Sequence, residues 1–297
     1  MAFRTKLARA EAQILASLGT SPGRIYNRSD LREYFSKARL NGVLAKHTKL
    51  DEFIEFLVRR RHLLSVTLES KRYGKDVTRY CVGKPSPFAL AASLRKGGYL
   101  SHGTAAYLHK LIPKTPRAIY LNVEQSAKPA APISLSQPAI DRAFSGKQRQ
   151  SNLSFENKEL TVTIVAGKNT GRTGVAAMSD SVAQGLNATN LHRTLIDLVV
   201  RPAYAGGVAN VLGAYRAARE LVSAESLLPI LEKLAFAYPY VQAIGFLMEQ
   251  AGYSEDQFAP LRARVTEFNF YLAHGMRDCA YAEAWRLFYP RELLTGA

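Results

Sequence analysis

The apolar residues in the first third of the chain predict three helices followed by two strands. Apolar side chains recur every three or four residues from Leu7 to Leu18, over residues 30–40 and over residues 49–63, a spacing typical of helices with one buried face. A short extended segment at 24–27 separates the first two helices. From residue 64 to 69 apolar and polar residues alternate, and this period of two predicts a half-buried strand.

A second strand over residues 77–82 follows the turn 71-KRYGKD-76, so the two strands are expected to form a β-hairpin. Ser29 and Thr48 are the expected N-caps of the second and third helices, since hydroxyl side chains accept hydrogen bonds from the first helical amides. Helix, strand, helix, helix and hairpin is the element order of a winged helix-turn-helix, with the hairpin as the wing. The sequence therefore predicts an α+β protein whose residues 1–84 form a winged helix-turn-helix DNA-binding domain.

Positive charge is concentrated in this predicted domain. The 297 residues carry a net charge of +16, and residues 1–84 hold 18 basic and 8 acidic residues. Three of these cations surround Gly74 at the hairpin tip, where they would neutralise nucleic-acid phosphates. A solvated basic surface that serves only solubility is the alternative. The residues predicted to contact DNA are Arg28, Lys46, His47, Thr48, Lys49, Lys71, Arg72, Lys75 and Arg79.

Base recognition is expected at the start of the third helix. In a helix-turn-helix the second of the two helices enters the major groove by its N-terminal residues, which here are residues 46–49. Asp51, Glu52 and Glu55 follow closely. Acidic side chains repel phosphates, although one of them can accept a hydrogen bond from cytosine N4. The alternative is a rotated helix whose acidic residues face solvent.

Residues 85–297 are predicted to form a larger mixed domain. The segment 84-KPSPF-88 contains two prolines that cannot continue a helix, so we interpret it as a linker. Helical and strand patterns mix over about 88–185. From about 190 to 290 the pattern is almost entirely helical, with a last helix over about 258–286, which predicts a helical bundle at the end of the domain.

The sequence gives little evidence for a catalytic or metal site in this second domain. The loop 167-GKNTGRTG-174 lacks the spacing of a Walker phosphate loop, because Lys168 directly follows Gly167. His102 and His109 lie one seven-residue step apart, yet no nearby carboxylate or cysteine completes a metal site. We therefore expect no catalytic residue, no metal and no cofactor, and we interpret the protein as a non-enzyme.

The sequence also indicates the cellular compartment of the protein. No run of about 18 apolar residues predicts a transmembrane helix, and the N-terminus lacks the apolar block of a signal peptide. Cys81 and Cys279 lie far apart and belong to no metal-spaced cluster. These features favour a cytoplasmic protein that does not contact membranes.

One segment of the second domain resembles a known family. In 189-TNLHRTLIDLVVRPAYAGGVANVLGAYRAA-218, Arg193 and Asp197 have the i, i+4 spacing of an ion pair within one helix. The segment resembles the RTLID…RP…AGG signature of the AbiEi family of antitoxins, although His192 stands where many relatives have glutamate. Shorter stretches at 98–111, 118–123, 137–144 and 245–253 agree with the resemblance. The residues that match the signature are Arg193, Asp197, Arg201, Gly206 and Gly207.

The resemblance implies an antitoxin of a type IV toxin–antitoxin system of the abortive-infection type, which is linked to phage resistance. In such proteins the winged helix binds inverted repeats in double-stranded promoter DNA and represses the operon. The C-terminal domain counteracts a nucleotidyltransferase toxin, often without a stable complex. Three alternatives remain: an RNA-binding module that stacks Tyr73 on an unpaired base, an enzyme that modifies the toxin, and an antitoxin that binds the toxin directly.

Overall fold

The computed structural model describes residues 6–19, 21, 23–72, 74–116, 118–127, 135–179 and 182–295. Helices and strands are mixed along these residues, which confirms the α+β class. The helices are α1 (Lys6–Leu18), α2 (Arg28–Leu40), α3 (Leu50–Arg59), α4 (Pro87–Ala92), α5 (His102–Leu108), α6 (Gln137–Ser145), α7 (Leu191–Val200), α8 (Val208–Ala217), α9 (Ala224–Leu234), α10 (Tyr240–Gln250), α11 (Glu255–Arg262) and α12 (Glu292–Thr295). The strands are β1 (Ile25–Tyr26), β2 (Leu64–Ser70), β3 (Val77–Cys81), β4 (Tyr99–Leu100), β5 (Ile119–Glu124), β6 (Ser154–Glu156), β7 (Thr161–Gly167), β8 (Val175–Ala177), β9 (Asn187–Thr189), β10 (Phe270–Tyr271), β11 (Cys279–Ala282) and β12 (Leu287–Pro290).

The chain forms two compact units. Unit one contains the described residues up to Lys96 together with Leu153–Thr161, and unit two contains the other described residues. The units therefore do not divide at residue 84, and 84–88 is not a linker between them. Ser86 Oγ accepts a hydrogen bond from Ala89 N at 3.1 Å and caps α4. Pro87 is favoured at the first position of that helix because the amide it lacks has no helical partner there.

Unit one packs α1, α2 and α3 around one apolar core beside a small sheet. The largest fully buried side chains of this core include Ile14, Leu31 and Phe53, one from each helix. The strand order in the sheet is β1-β3-β2-β6. β1 is antiparallel to β3, with Tyr26 opposite Tyr80, and β2 is antiparallel to β3 along the hairpin. The element order of this unit up to β3 is the order that the hydrophobic pattern predicts.

The helix starts differ from the predicted caps. α2 begins one residue after Asn27, whose side chain accepts hydrogen bonds from Ser29 N at 2.7 Å and Asp30 N at 3.0 Å. Ser29 as the cap is therefore wrong: Asp30 at N3 accepts a hydrogen bond from Asn27 N at 2.8 Å, which completes a capping box around Asn27. Thr48 as the cap of α3 is also wrong, since the helix begins at Leu50 after Lys49.

α3 is shorter than the predicted helix over 49–63. Arg61 adopts a positive φ of 60°, and His62 N donates to Leu57 O at 3.0 Å. This closure satisfies carbonyl groups at the end of the helix and turns the chain toward β2.

Unit two combines a sheet with a helical core. Its strands lie in the order β7-β5-β4-β9-β8, with β5 parallel to β7 and β4 parallel to β9. Helices α7 to α11 contribute most of the buried apolar side chains. Trp285 is fully buried against α10, where a Cβ at Gly245 would overlap its indole ring. That position therefore requires glycine.

The predicted helix over 258–286 is wrong beyond Arg262. A three-stranded sheet of order β10-β12-β11 occupies this part of the chain. Phe270 and Leu272 are buried on alternate positions, and Phe270 pairs with Leu287 across the parallel β10–β12 ladder. The apolar residues of this segment follow a period of two, and their pairing with distant strands makes it a sheet rather than a helix. Among the described residues, no helix has both the length and the apolar character that a membrane span requires.

Candidate nucleic-acid interface

Unit one carries most of the excess positive charge. Residues 1–96 and 153–161 contain 21 basic and 10 acidic residues, whereas the rest of the chain contains 19 and 14. Many cations of unit one are nevertheless paired with acids, including Arg59 with Glu55 and Arg60 with Glu11. The surfaces that can bind an anion are therefore those where exposed cations have no acidic partner.

The segment before α3 presents three of the predicted residues to solvent. Lys46, His47 and Lys49 are exposed, and the Lys46 carbonyl accepts a hydrogen bond from Arg39 Nη2. Thr48 is 7% exposed, so the structure does not place its side chain where it can contact a base. Its amide donates to Ala45 O at 3.0 Å, and this turn holds the segment against the start of α3.

The exposed face of α3 is acidic. Asp51, Glu52 and Glu55 all face solvent. Asp51 Oδ1 lies 2.6 Å from Arg28 Nη2, and Glu55 Oε1 lies 2.6 Å from Arg59 Nη2. The hydrogen bond with Asp51 raises the pKa of Arg28 above its ordinary value. Arg28 is thus exposed as predicted, but Nη2 of its guanidinium group is bonded to Asp51.

The β2–β3 hairpin carries the predicted tip cations, and one of them is neutralised within unit one. Lys71 Nζ lies 2.7 Å from Glu156 Oε2 on β6, and Lys71 N donates to Ser154 O at 3.1 Å. This follows from the pairing of β2 with β6, in which Glu69 and Ser70 lie opposite Glu156 and Phe155. The prediction of Lys71 as a phosphate contact therefore needs correction, because its charge has an internal partner.

Arg72 and Lys75 keep the predicted character of the tip. Both are exposed, and neither makes an ion pair with an acid among the residues that the structure describes. Gly74 between them has a φ of 103°, a conformation that side-chain-bearing residues avoid. Asp76 accepts a hydrogen bond from Ser70 N at 3.0 Å and closes the turn. Tyr73, the predicted stacking residue, lies outside the described residues.

Arg79 is not an exposed contact residue. It is 9% exposed, and burial lowers the pKa of its guanidinium. Nη2 donates to Ser93 O at 2.9 Å and Nη1 donates to Thr78 O at 3.0 Å. Strand alternation points this residue of β3 inward, toward the chain segment that follows α4.

The residues that match the antitoxin signature lie together in unit two, where they make structural contacts. Arg193 Nε donates to Asp197 Oδ1 at 2.7 Å inside α7, and both side chains are buried. Arg201 Nη1 donates to Arg149 O at 2.6 Å. Gly206 and Gly207 have φ values of 85° and 113°, which lets the chain leave the 3-10 turn Pro202–Ala205 and enter α8.

The loop 167–174 is a structural connection, as its lack of Walker spacing predicts. Lys168 Nζ donates to Leu234 O at 3.0 Å and Ala235 O at 2.8 Å, at the C-terminus of α9. The Glu124 carboxylate accepts hydrogen bonds from Thr170 N at 3.2 Å and Tyr99 OH at 3.1 Å. His102 and His109 bond separately to Ser101 and to the Thr189 carbonyl, and the described residues contain no group of three metal-ligating side chains.

The chain is similar to a solved structure over nearly its whole length. The crystal structure of the RV2827C protein from Mycobacterium tuberculosis aligns with 97% of this chain and 95% of its own, with a TM-score of 0.58 and 17% sequence identity. At that identity the likeness concerns the fold alone. No family model matches the chain, and no curated protein matches it.

Proposed function

We propose that the protein is a DNA-binding antitoxin that represses its own promoter, with unit one as a winged helix-turn-helix. The observation that carries the proposal is the arrangement of α1, β1, α2, α3 and the β2–β3 hairpin, with β1 closing the sheet against β3. The excess of 21 basic over 10 acidic residues in residues 1–96 and 153–161 supports a polyanionic partner.

Two exposed groups of cations are placed where they can contact a DNA duplex. Lys46, His47 and Lys49 precede α3, at the end of the helix that enters the major groove in helix-turn-helix proteins. Arg72 and Lys75 lie at the hairpin tip, where contact with the backbone of the same duplex supplies affinity without sequence information. The partner is double-stranded promoter DNA with inverted repeats.

Replacing both tip cations tests the wing. The Arg72→Ala/Lys75→Ala variant is expected to bind the promoter duplex more weakly and to lower the slope of log K against log salt by about 1.8. Lys71→Ala is the matched control from the same turn, and it should change the slope by less than either free cation, since Glu156 already neutralises it. Fluorescence anisotropy with a labelled upstream duplex over a series of NaCl concentrations measures the slopes. An unchanged slope in the double variant removes the wing from the interface.

The acidic face of α3 provides a second test. Glu55→Gln is expected to tighten binding to an unrelated duplex by roughly tenfold, because a charge that repels phosphates is removed. Glu33→Gln is the matched control: Glu33 also forms an exposed i, i+4 ion pair, with Lys37 at 2.7 Å, but lies on α2. If Glu55→Gln instead weakens binding to the promoter alone, the carboxylate reads a cytosine. Equal effects of the two variants would place α3 outside the interface.

Competition separates the DNA and RNA alternatives. Unlabelled promoter duplex is expected to displace the labelled duplex, whereas transfer RNA at the same nucleotide concentration displaces it poorly. Stronger displacement by the RNA would favour the RNA-binding alternative.

The antitoxin part of the proposal rests on the resemblance of residues 189–218 to the AbiEi signature. Co-expression with a nucleotidyltransferase toxin of this type should restore the growth that the toxin inhibits, and the Arg72→Ala/Lys75→Ala variant should do so equally well while losing repression. Recovery of a stoichiometric complex of the two proteins would favour neutralisation by direct binding.

A further inference from the structure

A second group of cations in unit one lies in a cleft away from the hairpin tip. The cleft has a volume of about 560 Å³ and is lined by α2, β3 and the segment after α4. Three arginines line it: Arg28 from α2, Arg79 from β3 and Arg95. Asp76 is the acidic residue that lines the same cleft. The lining therefore carries more positive than negative charge.

Arg79 is the least exposed of the three, and every acceptor that it contacts is neutral. Its Nε and Nη2 donate to Ser93 O at 3.3 Å and 2.9 Å, and Nε also approaches Ser93 Oγ at 3.2 Å. Among the described residues no carboxylate forms an ion pair with it, although Asp30 lies near enough to act on its charge. A buried guanidinium without a contacting anion is costly, and an anion bound in the cleft would offset that cost.

Arg95 adds donors to the same space. Arg95 is half-buried, its guanidinium lies 5.3 Å from the Phe155 ring centroid, and one of its nitrogens donates to Leu94 O at 3.0 Å. Arg28 lines the cleft too, but its guanidinium is bonded to Asp51 and to the Tyr80 side chain. Two of the amides at the start of α2 are not free to bind an anion, because the Asn27 side chain already accepts from them.

We infer that this cleft binds a phosphate group, held by the guanidinium groups of Arg79 and Arg95, while Arg28 lines the cleft with its charge already paired to Asp51. Planar guanidinium forks match the spacing of phosphate oxygens, and two of them around one anion give bidentate contacts that a single lysine cannot give. The source of the phosphate is either a duplex backbone or a free phosphate, and the first source rests on the proposed function. In that case β3 and the segment after α4 clamp the backbone beside the groove that α3 enters.

Arg95→Gln in the full chain tests the inference, because Arg95 is less buried than Arg79 and its loss perturbs the fold less. Arg9→Gln, an exposed arginine of α1 outside the cleft, is the matched control. Arg95→Lys keeps the charge and removes the fork. Thermal unfolding of each variant shows whether unit one remains folded.

Two measurements distinguish the sources. Binding to the promoter duplex across NaCl concentrations should weaken about tenfold in Arg95→Gln, with a slope lower by about 0.9, while Arg9→Gln matches the wild type. Line broadening of inorganic phosphate in 31P NMR should appear with the wild type and be lost in Arg95→Gln. Arg95→Lys should recover the salt slope but not the full affinity.

The outcomes of the duplex-binding and 31P measurements lead to different conclusions. Loss of both signals in Arg95→Gln supports the cleft as a backbone site. Loss of the 31P broadening alone supports it as a site for free phosphate. If neither signal differs between Arg95→Gln and Arg9→Gln, the inference is wrong. If the wild type binds no duplex, the proposed function fails, and the 31P measurement still decides whether the cleft holds phosphate.

Discussion

Replacement of Asp197 by alanine is expected to lower the free energy of unfolding of unit two by roughly 3–5 kcal/mol. Arg193 and Asp197 have only 7% of each side chain exposed, and their ion pair is 2.7 Å long. Removal of the carboxylate leaves the guanidinium in the interior without its counter-charge. Burial by itself lowers the pKa of Arg193, and Asp197 reverses that effect so that the net direction is upward.

The fluorescence of Trp285 reports this loss directly. Trp285 is the single tryptophan of the chain and is fully buried in unit two, so urea titration followed by its emission measures unfolding of that unit. Glu220→Ala is the matched control, since it breaks the exposed Arg219–Glu220 pair of the same unit and should cost less than about 1 kcal/mol. The double variant Arg193→Met/Asp197→Leu should recover much of the loss.

Recovery in that double variant is expected to be incomplete. Arg193 Nη1 also donates to Thr173 O at 2.8 Å, so removal of the arginine frees the loop 167–174 as well. A loss below about 1 kcal/mol in Asp197→Ala would contradict the buried-pair account. It would favour contact of Arg193 and Asp197 with a partner over a role in stabilising unit two.

Acidification is expected to destabilise unit two through His102. Burial lowers the pKa of this histidine from 6.5 to about 4, an effect that the nearby Asp197 opposes. Between these two pH values the unfolded chain binds a proton that the folded chain does not. The contribution of His102 is therefore fully present above pH 6.5 and is lost as the pH falls toward 4, by roughly 3 kcal/mol in total.

Unfolding free energies at about pH 7 and about pH 4.5, for the wild type and for His102→Gln, isolate this contribution. Glutamine does not titrate, so the variant should lose less stability than the wild type between the two conditions. His47→Gln is the control, because His47 is exposed and lies in unit one. Equal losses in the wild type and His102→Gln would show that other groups account for the acid sensitivity.

Local patterns predicted the order of the elements of unit one up to β3. The amphipathic spacing over α2 and α3 and the alternation over β2 and β3 reflect burial of one face, which is a local property of the sequence. The helix caps were harder to predict from the sequence. Asn27 and Ser29 are both good capping residues, and only the reciprocal hydrogen bond between Asn27 and Asp30 decides between them.

The candidate interface was predicted in part. Exposure of Lys46, Lys49, Arg72 and Lys75 follows from their places in a turn and at a hairpin tip. The positions of Glu156 beside Lys71 and of Arg95 in the cleft have no signal in the sequence, because packing between separate segments decides them. A basic hairpin tip alone does not show which of its charges is free.

The sequence by itself determined the order of helices and strands in unit one up to β3 and the concentration of positive charge there. Both depend on residue type and spacing, which are properties of short segments. Only the tertiary structure decided that Lys71 is neutralised, that Arg79 is buried, and that residues beyond Arg262 form a sheet. These outcomes depend on strand pairings and packing between distant segments, whose free energy is gained only when the whole unit folds.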